Sequence, residues 1–167
     1  VGVDEPSPYL SLDELKVRMD DHKKLKAVRA KDAARINVLG EIEHALGTYK
    51  ETKGRFPTVL SELRAGGVLS TTTVSDADLK TYVYASYVRA GDLTKANRCT
   101  QRSKSCDSYH IGTNLEDETD PALVSDADEN SEVHGNDDAG CALERDRHCY
   151  DLVFPPKEAA TSSPSGG

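Results

Sequence analysis

The sequence has few aromatic and apolar residues. Its 167 residues include no Trp, two Phe and one Met, and 37% of them are hydrophobic. This length suits one domain of ordinary size, and this composition predicts a small core and a large exposed surface on any long helix. Nothing in the sequence resembles a signal peptide, and no apolar run reaches about 18 residues, so we expect no transmembrane helix.

Signatures of catalysis are also missing. The histidines lie outside any recognisable nucleophile or zinc-protease motif, and we expect each of them at the surface; they are His22, His44, His110, His134 and His148. We therefore expect no enzymatic activity. The sequence pI of about 5.1 disfavours nucleic-acid binding, although residues 98–104 form a basic loop suited to display or to contact with an anionic partner.

The four cysteines form two closely spaced pairs. Cys99 and Cys106 are seven residues apart, and Cys141 and Cys149 are eight apart. Such spacings favour two local disulfides in an exported protein, so we predict the pairs 99–106 and 141–149 and an oxidising compartment, although the sequence permits three pairings. A zinc site that recruits His110 or His148 is the alternative.

A long amphipathic helix is the clearest element. Ser11 and Glu14 have the spacing of a capping box, which predicts a helix start near Leu12, and Gly54 predicts its end after about residue 52. Apolar residues at spacings of three and four form one seam along it: Ile36, Leu39, Ile42, Leu46 and Tyr49. Gly40 and Gly47 within this stretch indicate close packing of a sheet on the helix, the alternative being that the helix simply tolerates them.

Three later segments have the composition of β-strands. Residues 81–88 are dense in aromatic and β-branched types, and residues 109–115 and 150–154 alternate between apolar and polar types. We predict a hairpin from the first two, and an α+β fold in which a long N-terminal helix packs on a small antiparallel β-sheet. Between helix and sheet, Thr58 is expected to cap a short second helix that ends at Gly66 and Gly67.

Residues 25–70 resemble the soluble part of type IV pilins. The resemblance is carried by an Arg/Asp-rich stretch, a helix ending in Tyr, and a Gly-x-aromatic-Pro turn followed by a Leu pair: Asp32, Arg35, Tyr49, Gly54, Phe56, Pro57, Leu60 and Leu63. The chain is most similar to the major pseudopilins of type II secretion systems. Pilins carry an apolar N-terminal helix half behind a basic leader, and this sequence contains neither.

The resemblance implies a non-catalytic structural subunit of a type IV pilus or of a type II secretion pseudopilus filament. Its partners would be further copies of the chain, other pilins or secretion-system components. The location would be extracellular, at the cell surface or periplasmic, with membrane anchoring before assembly only through a segment that this chain lacks. The helix seam, the turn of Gly54, Phe56 and Pro57, and the four cysteines would carry this role. The alternative is a secreted or surface-anchored binding module with a pilin-like fold that does not polymerise.

On this basis we divide the chain into three parts. Residues 1–10 form an extended N-terminal segment. Residues 11–156 form a pilin-like domain, with the long helix over residues 11–53 and the sheet and loops over residues 54–156. Residues 157–167 form a disordered tail of Ser, Pro and Gly.

Negative charge is concentrated before the last predicted strand. The chain has a formal net charge of −8, and residues 116–151 hold thirteen Asp and Glu against two Arg. Oxygen-bearing side chains at alternate loop positions suit a hard cation, and major pseudopilins are similar in holding calcium in a loop before the final strand. The predicted calcium ligands are Asp126, Asp128, Asn130 and Asp137. The alternative is a solvated acidic loop without a metal.

Overall fold

A computed structural model describes residues 10–72, 74–75, 79–129, 133, 140–141 and 148–156. Within these residues the helices are α1 (Leu12–Lys53) and α2 (Ser61–Ala65), and the strands are β1 (Val83–Tyr87), β2 (Ser108–Leu115) and β3 (His148–Phe154). Short 3₁₀ helices cover Lys95–Asn97 and Pro121–Val124. The predicted α+β architecture is confirmed. The predictions for residues 1–9 and for the tail after residue 156 lie outside the described residues.

Helix α1 begins and ends where its sequence signals place it. The Ser11 side chain accepts a hydrogen bond from the N–H of Glu14 at 3.2 Å, and the Glu14 carboxylate accepts one from the N–H of Ser11 at 2.7 Å. At the other end Gly54 has a φ of 74°, which glycine adopts without strain. Its N–H donates to the backbone carbonyl of Lys50. The predicted capping box and C-terminal stop are therefore confirmed.

Among the described helices, none combines the length and the apolar character that a membrane-spanning helix requires.

The cap predicted for α2 is wrong. The helix begins at Ser61, and Leu60 precedes it without a side-chain cap. The N–H and the hydroxyl of Thr58 both donate to the carboxylate of Glu62, because a charged acceptor one turn along the chain holds them more strongly than a backbone group would. The end of α2 at Gly66 is as predicted.

The described strands form one antiparallel sheet in the order β1-β2-β3. Ile111 of β2 lies opposite Tyr84 of β1 and Leu152 of β3, so the predicted hairpin is confirmed. Strand β2 is buried along its whole length. Helix α1 covers one face of β2, and Val133 and the Cys141–Cys149 disulfide cover the other. Strand β2 is therefore buried on both faces, although its alternating sequence is typical of a half-buried strand.

The two glycines of α1 do not lie against the sheet. Gly40 and Gly47 are exposed, and a Cβ added to either would meet no atom within 4 Å. The sheet instead packs on the seam, which occupies another face of the helix. The prediction that these glycines mark close packing of the sheet is therefore wrong.

Candidate functional site

The predicted assembly seam lies inside the domain. Its members are buried, apart from the half-buried Ile36: Leu39, Ile42, Leu46 and Tyr49. These side chains belong to one apolar cluster with Tyr109 and Ile111 of β2. Any contact that α1 makes with another molecule therefore uses its other faces.

All four cysteines form the predicted disulfides, Cys99–Cys106 and Cys141–Cys149. The zinc alternative is wrong because each sulfur is bonded to another sulfur. The first disulfide closes the basic loop, residues 98–104, whose side chains are mostly exposed.

The second disulfide, Cys141–Cys149, lies against β2. A Cβ at Gly112 would stand 2.8 Å from Cys141 Sγ and 2.9 Å from Cys149 Sγ. Position 112 therefore has room for glycine alone.

The turn after α1 is held by the first disulfide loop and the sheet. The N–H of Phe56 donates to the carbonyl of Cys106 at 2.9 Å. The Phe56 ring meets Tyr109 edge-on, with the ring centroids 4.8 Å apart. The carbonyl of Pro57 accepts a hydrogen bond from the Tyr84 hydroxyl at 2.8 Å. The Phe56 and Pro57 of the pilin-like turn thus fix the end of α1 against the domain.

A cluster of ion pairs joins the middle of α1 to the start of residues 116–151, which we call the acidic segment. Asp32 is fully buried and accepts hydrogen bonds from the N–H of Glu116 at 3.0 Å and of Asp117 at 2.9 Å. Arg35 donates to Asp32 and to Glu116, each at 2.8 Å, and Arg29 donates to Asp117 at 2.8 Å. We call these five residues the α1 clamp. The clamp fixes the chain to the helix where it leaves β2.

Acid is expected to weaken the α1 clamp at Asp117. Hydrogen bonds from Thr119 and from Arg29 lower the pKa of Asp117 to about 2 from its usual 3.8. A pKa lowered by folding stabilises the protein at pH above about 4, and this stabilisation is lost as the pH falls through about 2. Between these limits the unfolding free energy of the wild type should fall by about 1–2 kcal/mol more than that of Asp117→Asn, because Asn does not titrate.

Urea unfolding of both proteins at several pH values across this range measures the difference. Asp13, an exposed carboxylate with an exposed lysine partner at 3.4 Å, supplies the matched control in Asp13→Asn. Its acid dependence should follow that of the wild type. Equal acid dependence in Asp117→Asn and the wild type would contradict the assignment.

A buried carboxylate in β3 organises the first part of the predicted calcium loop. Asp151 is fully buried, pairs with His110 of β2, and accepts hydrogen bonds from the N–H of Asp128 at 3.0 Å and of Glu129 at 3.2 Å. The Asp126 carboxylate accepts one from the N–H of Asp151 at 3.4 Å. Asp128 has a φ of 48°, in the left-handed region. Residues 126–129 therefore form a turn built around Asp151.

His110 contradicts the expectation that every histidine lies at the surface. It is fully buried, because Asp151 offers it a charged partner inside the domain. Among the others, His22 and His44 are exposed, His148 is half-buried, and His134 lies outside the described residues. Both members of the His110–Asp151 pair are closed to solvent, so we assign this pair to the fold.

The predicted calcium ligands are described only in part. Asp126 and Asp128 lie in the Asp151 turn, whereas Asn130 and Asp137 fall outside the described residues. The neighbouring carboxylate of Asp151 accepts N–H donors, so hydrogen atoms occupy positions where a cation would bind. No group of three or more His, Cys, Asp or Glu in the described ranges could hold a metal. Asp126 and Asp128 by themselves are too few for calcium, which takes six to eight oxygen ligands.

Three residues of this region escape the sequence patterns: Asp32, His110 and Asp151. Asp32 belongs to the Arg/Asp-rich stretch, and it lies seven residues before Leu39, on the seam side of α1. A carboxylate in line with an apolar seam must have hydrogen-bond partners if it is buried. The position of Asp32 on the seam side of α1 was therefore the one sequence feature that could have predicted its role. For Asp151 and His110 the sequence holds no comparable signal, because their pairing depends on the register of β2 against β3.

No protein-family model, curated protein or solved structure matches this chain. The α1 clamp, the Asp151 turn and the disulfide on Gly112 all stabilise the fold around the acidic segment. The described surface that remains for contact with other molecules is richest in apolar side chains on the first half of α1. Of the nine exposed large hydrophobic residues in the described ranges, five lie on this half of the helix: Leu12, Leu15, Val17, Met19 and Leu25. A sixth, Leu10, lies just before the helix.

Proposed function

We propose that this chain is a non-catalytic structural subunit of a filament, either a type IV pilus or a type II secretion pseudopilus. The observation that carries the proposal is the division of α1. Its second half packs on the sheet through the seam, while residues 11–27 are all exposed. A helix with 42 residues that leaves its first half outside the domain has that half available for neighbouring subunits.

The exposed half of α1 supports this proposal through its apolar side chains. Leu12 is 77% exposed and Met19 is 60% exposed, although large apolar groups in water oppose solubility. A solitary domain gains nothing from a helix of this kind, since a helix stabilised by packing normally buries its apolar face. Contacts with further copies of the chain, with other pilins or with secretion-system components would bury these groups.

The disulfides support an exported location. Both are formed between cysteines close in sequence, and such bonds persist in oxidising compartments. We therefore propose a periplasmic, cell-surface or extracellular protein. The exposed basic loop, residues 98–104, is then available on the outer side of the disulfide that closes it.

Immunogold electron microscopy of the producing cells tests the filament proposal. Antibodies raised against the folded chain should label extracellular or periplasmic filaments along their length. Antibodies against the reduced and unfolded chain serve as the control for non-specific labelling. Label that is dispersed over the cell surface and absent from filaments would contradict the proposal and favour a surface-anchored binding module that does not polymerise.

We also propose that the loop from Asp126 binds calcium, with Asp128, Asn130 and Asp137 as the further ligands predicted from the sequence. The support is the local excess of carboxylates, whose mutual repulsion a divalent cation would relieve. The turn around Asp151 supports this proposal only by keeping Asp126 and Asp128 close to β3. Calcium would supply charge neutralisation there and join the loop to β3.

Removal of calcium is then expected to lower the melting temperature by about 5–10 °C, as a ligand present at about a hundred times its dissociation constant would imply for a domain of this size. Differential scanning calorimetry with calcium, with excess chelator, and with magnesium added back measures the effect. Asp126→Asn combined with Asp128→Asn should abolish the calcium response, whereas Asp20→Asn on the exposed helix should retain it. A melting temperature that is unchanged by chelator would contradict the proposal.

A further inference from the structure

A groove opens between α1 and the end of β3. It encloses about 400 Å³, and its lining combines aromatic rings with helix side chains: Gly47, Lys50, Phe56, Tyr109 and Phe154. The rings of Tyr109 and Phe154 stack with their centroids 5.8 Å apart, and Phe154 is 41% exposed. The exposed Gly47 opens the helix side of the groove, since no side chain projects from that position. We call this the aromatic groove.

Negative charge borders the aromatic groove. Glu43 and Glu51 lie at its helix side, one turn before and after Gly47. The third charged residue there, Lys50, is held by Asp107 at 2.6 Å and lies over the Phe56 ring. The charge that the groove presents to an incoming molecule is therefore set by the two glutamates.

A complementary surface lies on the first half of α1. Leu12, Leu15 and Met19 share one face of the helix, since they are spaced by three and four residues. Lys16 and Lys23 follow Leu12 and Met19 by four residues each and border the same face. These five side chains are all exposed, and we call them the apolar stripe. The lysine partners, Asp13 at 3.4 Å and Asp20 at 3.9 Å, form exposed pairs that are easily exchanged.

The two surfaces are separate on one chain. Met19 and Gly47 are 28 residues apart along the same helix, a distance of about 42 Å at 1.5 Å per residue. One copy can therefore offer its apolar stripe to a second copy while its own aromatic groove receives a third. Unless two copies engage each other reciprocally, a contact between two different surfaces of this kind propagates into a ring or a filament.

We propose that the aromatic groove of one copy binds the apolar stripe of another copy, with lysines of the stripe beside Glu43 and Glu51 of the groove. This inference rests on the proposed filament function and names the surfaces through which the copies meet. Leu12, Leu15 and Met19 would cover the ring of Phe154, which is 41% exposed and stacks on the buried ring of Tyr109. The lysines and glutamates would fix the register of the two helices.

A charge introduced into the stripe tests the inference. Sedimentation equilibrium of the full chain at up to millimolar concentration measures self-association. Met19→Glu is expected to weaken it about tenfold or more, because it places a carboxylate among the rings and glutamates of the groove. Val17→Glu is the matched control, since Val17 is also 60% exposed but lies on the opposite side of the helix from Met19. It should change association less than about twofold, and a loss equal to that of Met19→Glu would overturn the inference.

A charge exchange identifies the partner surface. Lys23→Glu and Glu51→Lys should each weaken association, and the double variant should restore at least part of the loss, as expected for two groups in direct contact. Both side chains are exposed, and Lys23→Glu removes an exposed ion pair with Asp20 that contributes little to the stability of the fold. Losses that simply add in the double variant would overturn the pairing of these surfaces.

Photocrosslinking separates this inference from the proposed function. A photoreactive phenylalanine analogue at position 19, in a mixture of copies with and without ¹⁵N label, should give crosslinks between copies to residues near Glu51 or Phe154. Crosslinks between copies at other positions, together with labelled filaments in immunogold micrographs, would overturn the groove assignment and leave the filament function in place. Crosslinks in the groove without labelled filaments would overturn the filament function and leave the contact in place. The absence of any crosslink between copies would overturn the inference.

Discussion

Gly112→Ala is expected to lower the free energy of unfolding by about 3 kcal/mol. The added methyl would stand 2.8 Å and 2.9 Å from the sulfurs of Cys141 and Cys149, and 3.1 Å from Val133 Cγ1. Strand β2 is hydrogen-bonded on both edges and covered by α1, so it has no direction in which to withdraw. The disulfide must move instead, and it joins the end of the acidic segment to β3. Urea unfolding under non-reducing conditions measures the change.

Gly40→Ala is the matched control for Gly112→Ala. Gly40 lies in the interior of α1, is exposed, and has no atom within 4 Å of an added Cβ. The same substitution is therefore expected to stabilise the protein by about 0.5–1 kcal/mol, because alanine favours the helix over the unfolded chain. The two variants should thus change stability in opposite directions. If the free energy of unfolding of Gly112→Ala lies within about 0.5 kcal/mol of that of the wild type, the disulfide does not lie on β2.

Asp32→Ala is expected to lower the free energy of unfolding by about 3–5 kcal/mol. The variant leaves the N–H groups of Glu116 and Asp117 without their acceptor inside the α1 clamp. It also removes the carboxylate that accepts a hydrogen bond from Arg35 Nη1. Arg35 Nη2 keeps its hydrogen bond to Glu116. Each loss adds the cost of a polar group closed off from water without a hydrogen bond. Chemical denaturation monitored by far-UV circular dichroism measures the sum.

Asp20→Ala supplies the comparison for the α1 clamp. Asp20 lies on the same helix, but it is exposed, and its lysine partner stands 3.9 Å away. Its removal should change stability by less than about 0.5 kcal/mol. Asp32→Asn should fall between the two, because its amide oxygen can accept one of the hydrogen bonds but carries no charge for Arg35. Equal stability of Asp32→Ala and Asp20→Ala would exclude a structural role for the α1 clamp.

The parts of the fold that follow from the sequence are those set by neighbours in sequence. The capping box at Ser11, the stop at Gly54 and the seam from Leu39 to Tyr49 depend on residues within four positions of one another. Local disulfides are of the same kind, since chain closure over seven or eight residues favours them. The three strands follow from their aromatic and β-branched content.

The rest depends on contacts between distant parts of the chain. Asp32 accepts from backbone groups more than 80 residues away, and His110 pairs with Asp151 at a separation of 41. The special demand on Gly112 exists only once the second disulfide lies over the sheet. The wrong prediction for Gly40 and Gly47 has the same origin. A glycine within a helical pattern does not reveal whether the sheet packs against it or solvent does. Half of the predicted calcium set lies outside the described residues, so it stays a prediction.

The position of the α1 clamp has a mechanical consequence. Residues 11–27 extend beyond the domain. Counted from that end, Arg29, Asp32 and Arg35 are the first residues of α1 that hydrogen-bond to another described element of the chain. Traction on the exposed half would therefore reach the clamp before it reached the seam. From Asp32 the force passes to the backbone of residues 116 and 117, directly after β2, and so into the central strand of the sheet. Tension applied at one end of the helix is thus borne by a strand that is hydrogen-bonded along both of its edges.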